Sequence, residues 1–380
     1  MSMLGVGVLG FGFMGRTHTL AHQALPYYYD PPPADCRLVA VCEATAERAA
    51  AAKRLGGFQR CTTDPHEVIG ADDVDVIHVC TPNREHFGAI QAAIAAGKHL
   101  YVDKPVTASL AEADQVLALL KGYAGTAQVA LQYRFFPATL KARQLVQAGA
   151  IGPVTHFHGW YFHSGSVDPA KAVNWKSTGA FGGGVIRDLG SHILDLLGWL
   201  IGPFSSACCV SRIWSPRRPS LDSPGKMIDI DVEDAAAALL RCPDGAMGVL
   251  EVSKIATGAE DELRLEIHGR WGALRFDLMQ PNYLEFYDAR QADGDLGGAR
   301  GWQRLATVQR YPKPGGAFPG PKFSLGWIRS HIHSLYSFLE AIVTGRPGSP
   351  SLAEGIHLQK CLEALRESAA TGAWVDLPQP

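Results

Sequence analysis

In the first third of the chain, apolar residues gather in short, mostly apolar runs, at residues 4–9, 37–42, 74–79, 99–102 and 127–131. Short runs dominated by apolar residues fit strands buried on both faces, the habit of a parallel sheet. Between them lie stretches with helical spacing of apolar positions: 16–25, ended by Pro26; 87–96, stopped by Gly97; and 110–121. Strand alternating with helix predicts a doubly wound α/β unit. From about residue 132 the pattern changes. A helix over 137–148 leads to a strand over 154–162. Paired strands follow, 235–241 with 247–254 about Pro243-Asp244-Gly245, and 263–268 with 273–277 about Gly269-Arg270-Trp271-Gly272. A further strand lies at 283–287, and helices at 330–343 and 352–370 close the chain. Successive hairpins predict a large open, mostly antiparallel sheet in an α+β domain. The expected division is thus 1–131 and 132–380. Two segments rich in Gly and Pro, 216–231 and 291–322, fit neither pattern and are expected to be mobile. Loops that long usually cover a site or serve an interface, so a partial lid is open to them.

The turn after the first run reads Gly10-Phe11-Gly12-Phe13-Met14-Gly15. Strand, GxGxxG and helix in that order make a dinucleotide-binding Rossmann start. The first glycine makes the turn, the second admits the pyrophosphate, and the third lets helix and strand pack closely. Glu43 ends the second run, 28 residues after Gly15, the excess over the usual spacing being taken up by the Pro- and Tyr-rich stretch 26–33. A carboxylate there binds the adenosine ribose and favours NAD, while Arg48 and Lys53 leave NADP open. The third run ends in Thr81-Pro82-Asn83 with His86 close behind, and the fourth in Asp103-Lys104-Pro105. Both ends should face the ligand crevice at the strand C-termini. A lysine there has chemistry in reach, although most lysines are surface residues.

Gly182-Gly183-Gly184 leads into a helix carrying Asp188, His192 and Asp195 on one face. A carboxylate one turn before an imidazole can accept its ring N–H and leave the other nitrogen as a base. By itself the pattern fits a cap or core polar residues equally well. Trp175 and Lys176, just upstream, suit the lining of a sugar pocket or plain exposure. His156 and His158 share a strand face but lack a third ligand, so no metal is expected. His331 and His333 lie on different faces of the 330–343 helix and read as ordinary helix residues, with His331 within reach of a pocket.

Composition narrows the partners. A net charge of −2 and the absence of a basic, aromatic-interleaved run argue against nucleic acid. Eight scattered cysteines with no CxxC pair point to a reducing compartment without disulfides. No apolar run approaches the roughly 20 residues of a membrane span, and no targeting segment precedes the first strand. A cytoplasmic protein is expected.

Taken together these motifs resemble the glucose–fructose oxidoreductase / inositol dehydrogenase / rhizopine-catabolism (Gfo/Idh/MocA) family of NAD(P)-dependent oxidoreductases. The matching pieces are Gly10, Gly12 and Gly15, Glu43, Thr81-Pro82-Asn83 with His86, and Asp103-Lys104-Pro105, where the family has Glu-Lys-Pro. Further on come Tyr133-Arg134-Phe135 with Pro137, Gly149-Ala150-Ile151-Gly152, the 182–195 stretch and the 338–377 tail. The resemblance implies that His192 is the general base, Asp188 its helper, and Lys104 the residue that binds substrate and stabilises charge on oxygen. It places Gly10, Phe11, Gly12, Phe13, Met14, Gly15, Glu43, Thr81, Pro82, Asn83, His86, Asp103 and Lys104 at the cofactor, and Arg134, Trp175, Lys176 and His192 at a sugar, inositol or polyol substrate. It further implies a homodimer or homotetramer, with the open sheet supporting assembly. Two other readings stand beside dehydrogenation: an NAD-dependent glycosidase that oxidises C3 transiently, and a non-enzymatic dinucleotide-binding regulator.

Overall fold

Met3–Leu9 carries no charge and forms strand β1, its last six positions buried. This computed structural model describes residues 3–173, 178–179, 182–221 and 223–380. After β1 come α1 (Phe13–Tyr28), β2 (Asp35–Cys42), α2 (Ala46–Gly56), β3 (Arg60–Thr62), α3 (Pro65–Ile69), β4 (Val76–Val79), α4 (His86–Ala95), β5 (His99–Val102), α5 (Leu110–Leu120) and β6 (Ala127–Val129). The six strands pair in parallel in the order β3-β2-β1-β4-β5-β6. Chain order reverses between β1 and β4, and ligands of such sheets bind outside the strand C-termini at that reversal.

Helix α1 continues through Pro26, where the sequence predicts a stop. A proline in a final turn forfeits a single backbone bond. Tyr29, fully buried just beyond, keeps the chain on course by donating its N–H to Leu25 O at 3.0 Å.

The chain continues with α6 (Pro137–Gln147), β7 (Val154–Phe162), α7 (Val185–Ile201), β8 (Ser206–Arg212), β9 (Arg217–Pro219), β10 (Met227–Asp229), β11 (Ala235–Arg241), β12 (Met247–Ser253), β13 (Glu262–Gly269), β14 (Gly272–Asp277), β15 (Tyr283–Asp288) and β16 (Trp302–Ala306). Helices α8 (Ile328–Thr344) and α9 (Leu352–Thr371) and the short β17 (Val375–Asp376) complete it. The large sheet runs β16-β15-β14-β13-β7-β12-β11-β8-β17. Its β7–β12 pair is parallel and its other pairs are antiparallel. Helix α7 lies on this sheet across β7, β12 and β11. It buries Ile186, Leu189, Ile193, Leu194, Leu196, Leu197 and Leu200, each contributing about 2 kcal/mol from water exclusion.

Two compact units result. The first comprises Met1–Phe135, Tyr311–Gly320 and Gly326–Ile356; the second comprises Phe136–Arg310, Pro321–Leu325 and His357–Pro380. The boundary after residue 131 predicted from sequence gives two continuous blocks, whereas the first unit takes back a late stretch of chain. The reason is the apolar stripe of α8. Ile332, Leu335, Phe338 and Leu339 join Val6, Val8, Leu25 and Tyr29 in one buried cluster.

The two segments expected to be mobile also carry structure. Within 216–231, β9 and β10 pair antiparallel. Arg218, 1% exposed, donates to Ser166 O and Asp168 O. Within 291–322, β16 pairs with β15. Gly315 O accepts from buried Arg329, whose guanidinium lies 3.9 Å from the Tyr311 ring centre. Composition marks both stretches as loops; single buried arginines fasten them. No helix among the described residues is long and apolar enough to cross a membrane.

Candidate active site

In the first unit the glycine turn brings β1 and α1 into contact. A Cβ on Gly15 would lie 2.0 Å from Gly10 O, so a side chain there would push the helix off the strand. At Gly12 a Cβ would meet nothing within 4 Å. The N-terminus of α1 has no side-chain cap and no acidic residue in its first turn, which leaves its N–H groups and positive dipole end to an anion. Beside it is a cavity of about 400 Å³ lined by Phe11, Gly12, Arg16, Glu43, Arg48 and Leu55, among others. An uncapped helix start, open space at the middle glycine and basic walls fit a dinucleotide phosphate.

Glu43 forms part of that wall and also braces it. Its Oε1 accepts from Phe11 N at 2.8 Å, and Oε2 lies 2.9 Å from the half-exposed Arg48 guanidinium. Phe13 is exposed and its ring lies 5.6 Å from that of Trp327. The β4 and β5 ends are tied to each other by His86. Its fully buried ring has Nδ1 3.0 Å from Pro105 O and Nε2 2.9 Å from Thr81 O. It thus sets the positions of the loops bearing Thr81 and Lys104. Asn83 is buried, Asp103 accepts from Lys104 N at 2.9 Å, and the Lys104–Pro105 peptide is cis.

Beneath the strand ends lies a dry set of imidazoles. His22 Nε2 is 2.9 Å from His78 Nε2, and His78 Nδ1 is 3.2 Å from His18 Nδ1. His331 packs with its ring centre 6.2 Å from that of His18. Burial lowers His18, with help from neighbouring His22, and His22 to about 3, and holds His78 and His331 well below the usual range. The first three rings hydrogen-bond to one another, and His331 serves packing. Among the described residues no group of three or more His, Cys, Asp or Glu is arranged to hold a metal ion. Arg134, expected at the substrate, is 6% exposed and pairs with Glu354 at 2.9 Å. Burial raises the Glu354 carboxyl, and the Ser351 N–H and Arg134 more than reverse this, leaving it below its usual range.

In the second unit, the run before α7 has a steric cause. Gly184 sits at φ +110, and a Cβ there would lie 2.6 Å from Glu233 Oε1. Glu233 answers the helix start from just before β11. Its backbone O accepts from Val185 N at 3.1 Å and its Oε1 from Ile186 N at 3.0 Å. Arg187 makes a two-pronged pair with Glu363 of α9, at 2.5 and 2.9 Å. Burial raises the Glu363 carboxyl, but Arg187 and Arg366 hold it below its usual range. So fixed, the first turn presents Asp188, and the buried His192 follows one turn on.

Lys254 Nζ lies 2.8 Å from Asp188 Oδ2. The Tyr161 ring stands edge-on to His192 at 6.0 Å, and its hydroxyl donates to Asp261 Oδ1 at 2.5 Å. His163 Nε2 is 3.0 Å from the same oxygen. No motif in the sequence marks Lys254, Tyr161, His163 or Asp261. They stand at or just beyond the ends of β7 and β12 and before β13, and a parallel β7–β12 pair between distant segments leaves no local signature. His158, weighed as a metal ligand, pairs with Glu251 at 2.9 Å. Asp195 is buried. Trp175 and Lys176 fall outside the described residues.

Comparison with known proteins accords with this geometry. Residues 4–131 match the oxidoreductase family with an NAD-binding Rossmann fold, and residues 139–275 match the GFO/IDH/MocA C-terminal domain. The chain is 32% identical over 392 residues to the levoglucosan dehydrogenase of Pseudarthrobacter phenanthrenivorans, covering 100% of this chain and 99% of the relative. It is 26% identical to the inositol 2-dehydrogenase of Rhizobium meliloti, covering 96% of each. A solved levoglucosan dehydrogenase in complex with NADH and levoglucosan superposes with a TM-score of 0.94 at 32% identity, covering 100% of both chains. An uncapped glycine-led helix start, a lysine beyond β5, an Asp–His pair on α7 and likeness along the whole chain place this protein in the Gfo/Idh/MocA family of NAD-binding oxidoreductases.

Proposed function

We propose that this enzyme reversibly oxidises a secondary hydroxyl of a sugar, inositol or related polyol. The observation that carries the reading is that a braced α7 carries Asp188 and His192 one turn apart, in a chain alike from end to end to a levoglucosan dehydrogenase. NAD, held by the α1 start and the wall of Glu43 and Arg48, supplies the hydride acceptor when bound. His192 takes the hydroxyl proton. Lys104 stabilises negative charge that builds on the substrate oxygen. Asp188 orients the imidazole and favours its protonated form as the proton arrives. Gly12, open to the cavity, and Arg48 on its wall serve cofactor binding, and the brace of His86 keeps Lys104 in place.

The test is a panel of sugars and inositols, levoglucosan included, offered with NAD and with NADP separately and read by absorbance of the reduced cofactor. Positioned general bases are typically worth ~10²–10⁴ in rate. His192→Ala and Lys104→Ala should each lower turnover by at least ~10² while NAD affinity stays within about twofold. Near-normal turnover in both variants rejects the assignment. Release of p-nitrophenol from a p-nitrophenyl glycoside without net NAD reduction would replace it with the glycosidase reading.

A further inference from the structure

We propose that Lys254 is a positioning residue for the Asp188–His192 pair: it holds the aspartate carboxylate and balances its charge, so that the imidazole one turn on stays a neutral base at working pH. The inference rests on the reading of His192 as that base. Asp188 lies in the first turn of α7, and its backbone N–H donates to Gly184 O at 3.0 Å. There the helix dipole favours an anion. The Lys254 ammonium sits 2.8 Å from Oδ2, with the two side chains 18% and 23% exposed. This is more shelter than a surface ion pair has.

Nor does the lysine sit on a wandering chain. Its backbone N–H donates to Asp234 O at 2.9 Å, and its carbonyl accepts from Ser166 N at 2.8 Å. Its Cα is therefore pinned by two separate loops. Several other charged groups on elements around the start of α7 are engaged elsewhere. From before β11, Glu233 caps Ile186 N and Asp234 accepts from Trp214 N at 2.8 Å. From the β12 and β7 strands, Glu251 pairs with His158, and His163 with Asp261. On α9, Glu363 takes Arg187 and Arg366, and on α6, Arg143 donates to Trp199 O.

The electrostatic consequence follows from position. A bare carboxylate one turn from an imidazole stabilises the imidazolium and would leave the base already protonated. An ammonium on the carboxylate turns the neighbour into a near-neutral pair and weakens that pull. Asp188 can then orient the ring without filling it with a proton beforehand.

The test reads His192 directly and needs no substrate. Histidine-labelled full-length protein is titrated by NMR, and the His192 signal is assigned by its loss in His192→Gln. Lys254→Met should move the His192 midpoint up by about one pH unit, and Lys254→Arg should leave it within about 0.3 of the parent. Asp188→Asn combined with Lys254→Met should titrate like Asp188→Asn alone, which shows that the lysine acts through the aspartate. An unchanged midpoint in Lys254→Met overturns the proposal, as does an equal shift when Lys254→Met is added to Asp188→Asn. A lysine needed for folding alone would lower Tm and leave the midpoint where it is. Failure of the base assignment shows instead as normal turnover in His192→Ala, whatever the titration gives.

Discussion

Helices α1 and α7 both start from a glycine-led turn, and at both a buried glutamate beyond a neighbouring strand end, or just before one, takes a backbone N–H: Glu43 from Phe11, Glu233 from Ile186. They differ in what remains to be answered. At α1 the glutamate braces the loop ahead of the helix, the first turn has no acid, and Gly12 faces open space. At α7 the glutamate caps the helix itself, Asp188 occupies the first turn, and the carboxylate fills the place a Cβ would take on Gly184. A glycine-rich helix start is therefore a ligand site where the fold leaves its N–H donors unanswered, and an internal joint where a side chain has been supplied. The first needs room and the second needs contact, and glycine serves both.

The largest expected difference between the two helices comes with acid. Helix α1 buries His18 and His22 against His78, whereas α7 packs mostly aliphatic side chains. Both α1 histidines titrate at about 3 in the fold, against 6.5 as the ordinary value. The unfolded chain therefore binds more protons below pH 6.5. Stability is full above about 6.5 and is lost as pH falls towards 3, by about 1.4 kcal/mol per pH unit for each histidine. Calorimetric Tm should fall steeply from pH 6.5 to 5, and a flat Tm over that window would dissolve the contrast.

Next in size is Gly12→Asp. With nothing within 4 Å the side chain has room, so Tm should move by no more than about 2 °C. A carboxylate at the helix start would weaken NAD binding by about 100-fold, or roughly 2.7 kcal/mol, measurable by calorimetric titration. Intact affinity would mean that the α1 start is not the phosphate site.

Gly184→Ala is the smaller, mirror-image case. Strain at φ +110 and the displaced Glu233 carboxylate should cost about 1–2 kcal/mol of stability, with NAD affinity unchanged. Chemical denaturation beside NAD titration checks it, and a loss of affinity without a loss of stability would erase the distinction between the two starts.

Much of the first unit was legible because its signals are local. Fully buried parallel strands read as apolar runs, and the glycine spacing announces the strand-to-helix turn. The hairpins β11–β12 and β13–β14 were legible from their turns. The strands β3, β8, β16 and β17 were missed, being short or at sheet margins, where neither alternation nor an apolar run develops. The return of α8 to the first unit was also invisible, since its apolar stripe packs against β1 and α1 some 300 residues away, and the fastening of the 311–320 stretch rests on one buried arginine that composition does not mark. Among the candidate residues, Lys104, Asp188 and His192 stood out by motif. Arg134 did so as well, and its Nη1 also pairs with Glu354, a contact no spacing predicts.

By itself the sequence determined the Rossmann start, the alternation of strand and helix in the first unit and the main hairpins of the second, because helical period, strand burial and glycine spacing are set by neighbours a few positions apart. Tertiary structure alone decided which glycine-led helix start stays open and which is capped, that His86 is a brace, and that Asp188 faces Lys254 across 66 residues of chain. Those outcomes rest on sheet order and packing between distant segments, where a hydrogen bond or charge acts over about 3 Å in space whatever the separation along the chain.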